Sequence, residues 1–248
     1  MTRKADELDG EVNQIGHLFA DYGVESEALA AYGAVHRFTI DPKPNGSVES
    51  TTEMDLMKEI PGLDLDLVIL HPNCARFCDM PNVDPSDHEN QIPRAREIAE
   101  QIATDYVIEN KPRSPLDDPV VLNGRMFGLP LAYERAFETS FAVDEPATQQ
   151  TIGKTVTPYF YSDRTAEWWR GVKGYVGDYP KQHVAKNTIP AAYIHHICRS
   201  WLESRDSRDA EKPQDNNSRA PRDLADEQET IVTDGGFAQS GDGGDRRA

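Results

Sequence analysis

Apolar positions along the chain fall into short runs of two kinds. QIGHLFA from Gln14 to Ala20, VHRFTI from Val35 to Ile40, LDLVIL from Leu65 to Leu70 and YVIE from Tyr106 to Glu109 read as strands, brief and rich in branched or aromatic side chains. Between them the period changes. Ser26 to Tyr32 carries Ala28, Leu29, Ala30 and Ala31 and predicts a helix that Gly33 is placed to end. Pro42 and Pro44 break the chain just past the second strand, and Met54 to Ile60 predicts a helical turn. Pro93 to Thr104 sets Ile98, Ala99 and Ile102 on one side of a helix, and Ile189 to Leu202 repeats Ile194, Ile197, Cys198, Trp201 and Leu202 at helical spacing. Val120 to Leu122 and Arg135 to Phe141 add two further strand candidates. Strands alternating with helices predict an α/β fold, a mostly parallel sheet with helices on both faces.

The pattern also divides the chain. Residues 1–13 are charged and expected to be flexible, 14–143 form the main domain, and 144–183 mix Thr, Gly, Tyr and Trp with little periodicity, as a small lobe would. Residues 184–203 return as the last helix. From 204 to 248 there are 11 acidic and 7 basic residues and few apolar ones, too little to offset the entropy of ordering, so this tail is expected to be disordered. No internal repeat is found. Three cysteines (Cys74, Cys78, Cys198) argue against a disulfide framework and for a reducing compartment. The start, Met-Thr-Arg-Lys-Ala-Asp-Glu, has no apolar signal core, and no run approaches the ~18 apolar residues of a membrane span. A cytoplasmic protein with no membrane partner is the expectation.

Chemistry-bearing residues gather where the strands end. Leu67 to Cys78 reads LVILHPNCARFC, Tyr106 to Arg113 reads YVIENKPR, and Asn123 to Phe141 reads NGRMFGLPLAYERAFETSF. A candidate nucleophile (Cys74), a candidate acid (Glu109) and a cation (Arg135) follow one another. A thiolate adds to an electron-poor ring carbon. A carboxyl in a dry pocket has its pKa raised and can give a proton. A guanidinium holds an oxygen on which negative charge builds.

These segments resemble the DNA (cytosine-5) methyltransferases, in the small form common in phages and archaea. Pro72-Asn73-Cys74-Ala75 is similar to that family's Pro-Pro-Cys-Gln, with Asn73 and Ala75 replacing the second proline and the glutamine. Glu109-Asn110-Lys111-Pro112 is similar to Glu-Asn-Val-Pro. The segment ending at Arg135 is similar to the phage-type form of Gln-x-Arg-x-Arg, with Leu131 at the glutamine and Tyr133 at the first arginine. The resemblance covers residues 14–202. It implies a Rossmann-like methyltransferase sheet over 14–143, a target-recognition lobe over 144–183, and a monomer that methylates cytosine carbon 5 in double-stranded DNA. Cys74 would attack carbon 6, Glu109 would act at ring nitrogen 3 and Arg135 at the carbonyl oxygen. Trp168, Trp169, Arg170, Lys173, Lys181 and Lys186 would serve base flipping or phosphate contact.

The same resemblance implies S-adenosylmethionine as methyl donor. Phe19-Ala20-Asp21-Tyr22-Gly23-Val24 is similar to the family's Phe-x-Gly-x-Gly loop, with Asp21 and Val24 in place of glycines. Asp41 would take the ribose hydroxyls, Asp55 the adenine amino group with Glu53 as a rival, and Asn187 would return to the pocket from Lys186-Asn187-Thr188-Ile189-Pro190. Phe19, Gly23, Asp41, Asp55, Pro72 and Asn187 are thus the expected cofactor set, and no metal is expected.

Charge pulls the other way. The net charge is -17, whereas phosphate neutralisation calls for a basic surface. An acidic solvated surface of the kind that salt-loving organisms use accommodates both observations, because at high salt groove shape and base contacts carry more of the affinity. Three rival readings stay open: a degenerate relative that binds without turnover, an RNA cytosine methyltransferase, and a zinc-dependent interaction module built on His71, Cys74, Cys78 and His88.

Overall fold

A computed structural model describes residues 12–78, 83–151 and 153–211. Its strands are β1 (Gln14–Leu18), β2 (Ala34–Thr39), β3 (Ser50–Glu53), β4 (Leu65–Leu70), β5 (Ala103–Asn110), β6 (Val120–Asn123) and β7 (Glu134–Thr139). They form one sheet in the order β3-β2-β1-β4-β5-β7-β6. The pairings from β3 through to β5 are parallel, whereas β7 runs antiparallel to both of its neighbours. β7 is therefore the reversed strand of an α/β, Rossmann-like sheet, and its start lies at the same edge as the end of β5.

Period-two alternation sends neighbouring side chains to opposite faces. On one face Ile15, Val35, Leu67, Ile69, Val107 and Phe137 form a core; on the other, Leu18, Phe38, Val68, Leu70, Ile108 and Ala136 form a second. Helix α2 (Ile92–Ile102) covers the second face with Ile92, Ala95, Ile98, Ala99 and Ile102, all buried, and Pro93 stands in its first turn, where a missing N–H costs nothing. The first face is covered by α1 (Ser26–Leu29), α3 (Ala166–Lys173), α4 (Lys181–Lys186) and α5 (Ala191–Glu211), which supply Leu29, Trp169, Val184 and Trp201 to its core.

Several expectations shift. α1 is one turn long and is followed by turn bonds from Ala31 N–H and Tyr32 N–H. Gly33 is required for space, not for a left-handed cap: a side-chain carbon there would collide with the Asn13 carbonyl oxygen. Met54 to Ile60 holds a single hydrogen-bonded turn closed by Lys58 and Glu59 N–H on the Asp55 carbonyl. β3 had no apolar signal because all its residues are exposed at the sheet edge. The expected flexible start lies outside the described residues up to residue 11, as does the tail from residue 212 onward.

Residues 204–211, expected to be disordered, instead continue α5. Buried Asp105 on β5 anchors them: it accepts from Trp201 Nε1 at 3.0 Å and from Arg208 at 2.5 Å. Arg205 adds a bond to Asn13 Oδ1 at 2.6 Å and stacks over the Trp201 ring. Arginine contacts from a polar helix replace the apolar burial that the sequence lacks. Among the described residues no helix is long and apolar enough to cross a membrane.

Asp105→Ala leaves the buried Trp201 N–H without an acceptor and should destabilise the protein by about 2 kcal/mol in urea unfolding. Arg208→Ala should cost less, because its guanidinium is 43% exposed and water replaces the lost partner.

Candidate active site

The sheet order turns back between β1 and β4: from β1 the chain goes to one side, and β4 pairs on the other. Ligands of open α/β sheets bind at the carboxyl ends of such strands. A cavity of about 860 Å³ opens there, at the upper end of the usual range for small-molecule sites. Phe19, Gly23, Asp55, Pro72, Cys74, Glu109, Arg135 and Asn187 all line it. Asp41 does not. It points to solvent and pairs with Lys43 at 2.5 Å, because β2 ends at Thr39, two residues earlier. Thr39 and Ile40 occupy the rim instead, and Asp21 is the carboxylate nearby, within 3.5 Å of the Thr39 hydroxyl.

Cys74 follows β4 and caps a short 3-10 turn, Ala75–Phe77. The loop before it is tied down from three sides. Asn110 Nδ2 donates to the Pro72 carbonyl at 3.0 Å, Gln91 Oε1 accepts from Asn73 N–H, and Asn73 Oδ1 accepts from Ala75 N–H, both at 2.8 Å. Asn110 is fully buried, and its carbonyl oxygen accepts from Ser114 Oγ at 2.7 Å. It is a positioning residue that clamps the end of β4 to the end of β5.

Glu109 and Arg135 meet directly, Arg135 Nε donating to Glu109 Oε1, while His71 Nδ1 donates to Glu109 Oε2 at 3.0 Å. The contact depends on the reversal of β7, in which Glu109 faces Phe137 and Arg135 stands two residues earlier at the same edge. The expected raised pKa is not met. Burial alone would raise it, but the Arg135 charge and the His71 hydrogen bond outweigh burial and hold the carboxyl at about 2. Glu109 is thus a carboxylate at neutral pH, and the same pairing holds the Arg135 guanidinium fully charged. Cys74 lines the same cavity as Arg135 and Tyr133.

Tyr133 is buried, with Lys173 Nζ 3.9 Å and Arg135 Cζ 5.6 Å from its ring centroid. Lys173, expected as a phosphate contact, is itself buried and donates to the Ala185 and Thr188 carbonyls. Burial pushes its pKa well down. Trp169 is likewise core, its Nε1 donating to the Tyr161 carbonyl at 2.9 Å. Residues 144–183 instead expose Tyr159 and Phe160, and Tyr159 reaches the cavity.

At the cofactor end, Gly23 has φ +58°, and a side-chain carbon there would come within 2.6 Å of Arg37. Arg37 is buried and donates to the Tyr22 and Lys43 carbonyls, holding this loop. Phe19 also has positive φ, at +57°. Asp55 accepts from Met57 N–H and pairs with Lys58 at 2.7 Å. His71 and Glu25 line the cavity, and burial keeps His17, behind them, neutral. The zinc set does not converge: Lys111 Nζ lies 2.7 Å from Cys78 Sγ, and among the described residues the one cluster within ligating reach is His17, Glu25 and His71. These side chains are scattered in sequence and carry no motif spacing.

No family profile matches the chain and no curated protein matches it. Among solved structures it is similar to an E. coli prophage-encoded protein named as a DNA modification methyltransferase (TM-score 0.43, 15% identity, 60% of this chain and 54% of that one). It is also similar to a mutant of Spodoptera frugiperda DNMT2 (TM-score 0.38, 12% identity, 57% and 55%) and to Thermoplasma acidophilum 1320 (TM-score 0.34, 13% identity, 53% and 77%). The chain thus spans about half the length of the first two. At TM-scores below 0.5 these likenesses carry no functional argument.

The depressed Glu109 pKa predicts an acid limb in stability. As pH falls below about 4.5, the unfolded chain binds a proton at this position, whereas the folded chain does so only near 2. Stability should drop across that window in urea unfolding at stepped pH, and Glu109→Gln should flatten that part of the curve.

Proposed function

We propose that the protein methylates carbon 5 of cytosine in DNA, with S-adenosylmethionine as donor and Cys74 as nucleophile. The observation that carries this reading is that Cys74, the Glu109–Arg135 pair and an apolar shelf line one cavity. Ile40 is that shelf: it is 62% exposed, and Phe19 and Met54 line the cavity with it. A nucleoside ring fits there, and Asp21 offers a carboxylate for sugar hydroxyls. S-adenosylmethionine, when bound, supplies an electrophilic methyl group on a sulfonium.

The chain's own residues do the rest. Cys74 thiolate adds to carbon 6 of the extruded base, forming a C–S bond and pushing the ring electrons toward carbon 5. Arg135 uses Nε on Glu109, and among the described residues no other partner holds its terminal nitrogens, which are left to donate to the base carbonyl. Glu109, being ionised, accepts from the cytosine amino group, the pairing expected between a carboxylate and that donor. Once the methyl group is on carbon 5, a water molecule in the cavity takes the carbon 5 proton, and the electron pair left behind restores the ring double bond as the C–S bond to Cys74 breaks. Tyr159 and Phe160, exposed beside the cavity, are suited to the gap left by a flipped base.

Incubation with tritium-labelled S-adenosylmethionine and unmethylated duplex DNA, followed by bisulfite sequencing, tests the reading. Methylated cytosine should appear, and Cys74→Ala should reduce transfer to background while equilibrium dialysis shows unchanged S-adenosylmethionine affinity. Absence of cofactor binding at any salt concentration would sink the proposal, and transfer to RNA alone would move the substrate to the other nucleic acid.

A further inference from the structure

Three side chains able to hold a metal ion converge behind the Glu109 carboxylate. His17 on β1 and His71 just past β4 lie edge to face with ring centroids 4.9 Å apart, and Glu25 Oε2 is 4.0 Å from His17 Nε2. The ligand atoms of all three lie within 4.8 Å of one another. Glu109 as a carboxylate only accepts, so His71 Nδ1 donates to it and Nε2 is the ring nitrogen turned toward the cluster. His17 Nδ1 is engaged with Ser26 Oγ at 2.8 Å, and Glu25 Oε1 accepts from Ile189 N–H at 2.7 Å. Both Nε2 atoms are buried without a partner among the described residues, and His17 is completely enclosed. Buried polar atoms without a partner are costly unless a further group sits among them.

We propose that His17, Glu25 and His71 bind one divalent first-row transition-metal ion of the zinc type. Two imidazole nitrogens and one carboxylate oxygen suit such an ion, whereas magnesium and calcium favour all-oxygen shells. The outer hydrogen bonds match as well. His71 hands its remaining N–H to a carboxylate and His17 turns its other nitrogen to a hydroxyl, the contacts that fix metal-bound imidazoles. Tetrahedral bonds of about 2.1 Å place ligand atoms roughly 3.4 Å apart, so modest side-chain rotations close the set. His71 and Glu25 line the main cavity, which gives the ion a way in and leaves its fourth position facing that space. The ion would join the ends of β1 and β4 and lock the His71 tautomer that holds Glu109, making His17 and Glu25 positioning residues. Metal binding of this kind is independent of whether the cavity transfers methyl groups.

The test uses the full chain, stripped with EDTA and equilibrated with Zn²⁺, with bound metal measured by elemental mass spectrometry. One equivalent should be retained by the natural protein and by the Cys74→Ala/Cys78→Ser variant. His17→Gln should weaken binding by about 100-fold or more, with its circular dichroism and melting in EDTA matching the natural protein in EDTA. Should His17→Gln fail to fold, Glu25→Gln reads the same loss, and the visible spectrum of the Co²⁺-loaded natural protein should show nitrogen and oxygen ligation without sulfur charge transfer. A water-filled site would bind no stoichiometric zinc at micromolar concentration and would overturn the proposal. So would binding that survives His17→Gln, disappears with the thiols, or gives a thiolate–cobalt spectrum.

Discussion

A carboxylate and a guanidinium are both costly in a dry pocket unless each is the counter-ion of the other, and Glu109 and Arg135 meet that condition through the reversal of β7. Residue 109 lies at the end of a parallel strand and residue 135 at the start of an antiparallel one, so both arrive at the ligand edge of the sheet. Had β7 run parallel, Arg135 would stand at the opposite edge and Glu109 would be a buried charge without compensation. The pair then organises its surroundings. His71 completes the carboxylate's hydrogen bonds, Tyr133 packs against Arg135, and Lys173 closes the far side of the Tyr133 ring.

What the sequence reveals of this arrangement depends on where the signal is local. β4 is legible residue for residue, because a run of six with apolar residues on both faces has few alternatives. α2 is legible because its buried residues recur at helical spacing. β3 is silent, being polar and exposed, and the extension of α5 past Glu203 is hidden because arginine anchors leave no apolar trace. In the cavity, strand-end residues such as Cys74 and Glu109 are legible, since a strand end fixes where a side chain emerges. Asp41 fails for the same reason: with β2 ending at Thr39 the chain has already turned toward solvent. The Glu109 pKa is misjudged because burial can be guessed from apolar neighbours in sequence, whereas a counter-ion 26 residues away cannot.

The wall of the cavity is built by side chains from separate elements. Tyr133 lines it, and Lys173 packs against the Tyr133 ring, anchored on the Ala185 and Thr188 carbonyls. Lys173 therefore serves the pocket wall and is unavailable to phosphate. Asp21 stands at the cavity rim beside Thr39, presenting a carboxylate close to the place from which Asp41 has turned away.

The acidity of the molecule bears on the same cavity. A net charge of -17 opposes approach to a polyanion, so under the proposed function affinity for nucleic acid has to arise at short range. Lys111, Arg135 and Lys186 are the lysines and arginines that line the cavity, and Tyr159 stands with them. Screening by salt weakens the long-range repulsion of the outer surface and leaves enclosed contacts much less affected. For the proposed substrate, a buried guanidinium and the exposed Tyr159 ring are therefore contacts suited to an acidic protein, because neither relies on the field of the whole molecule.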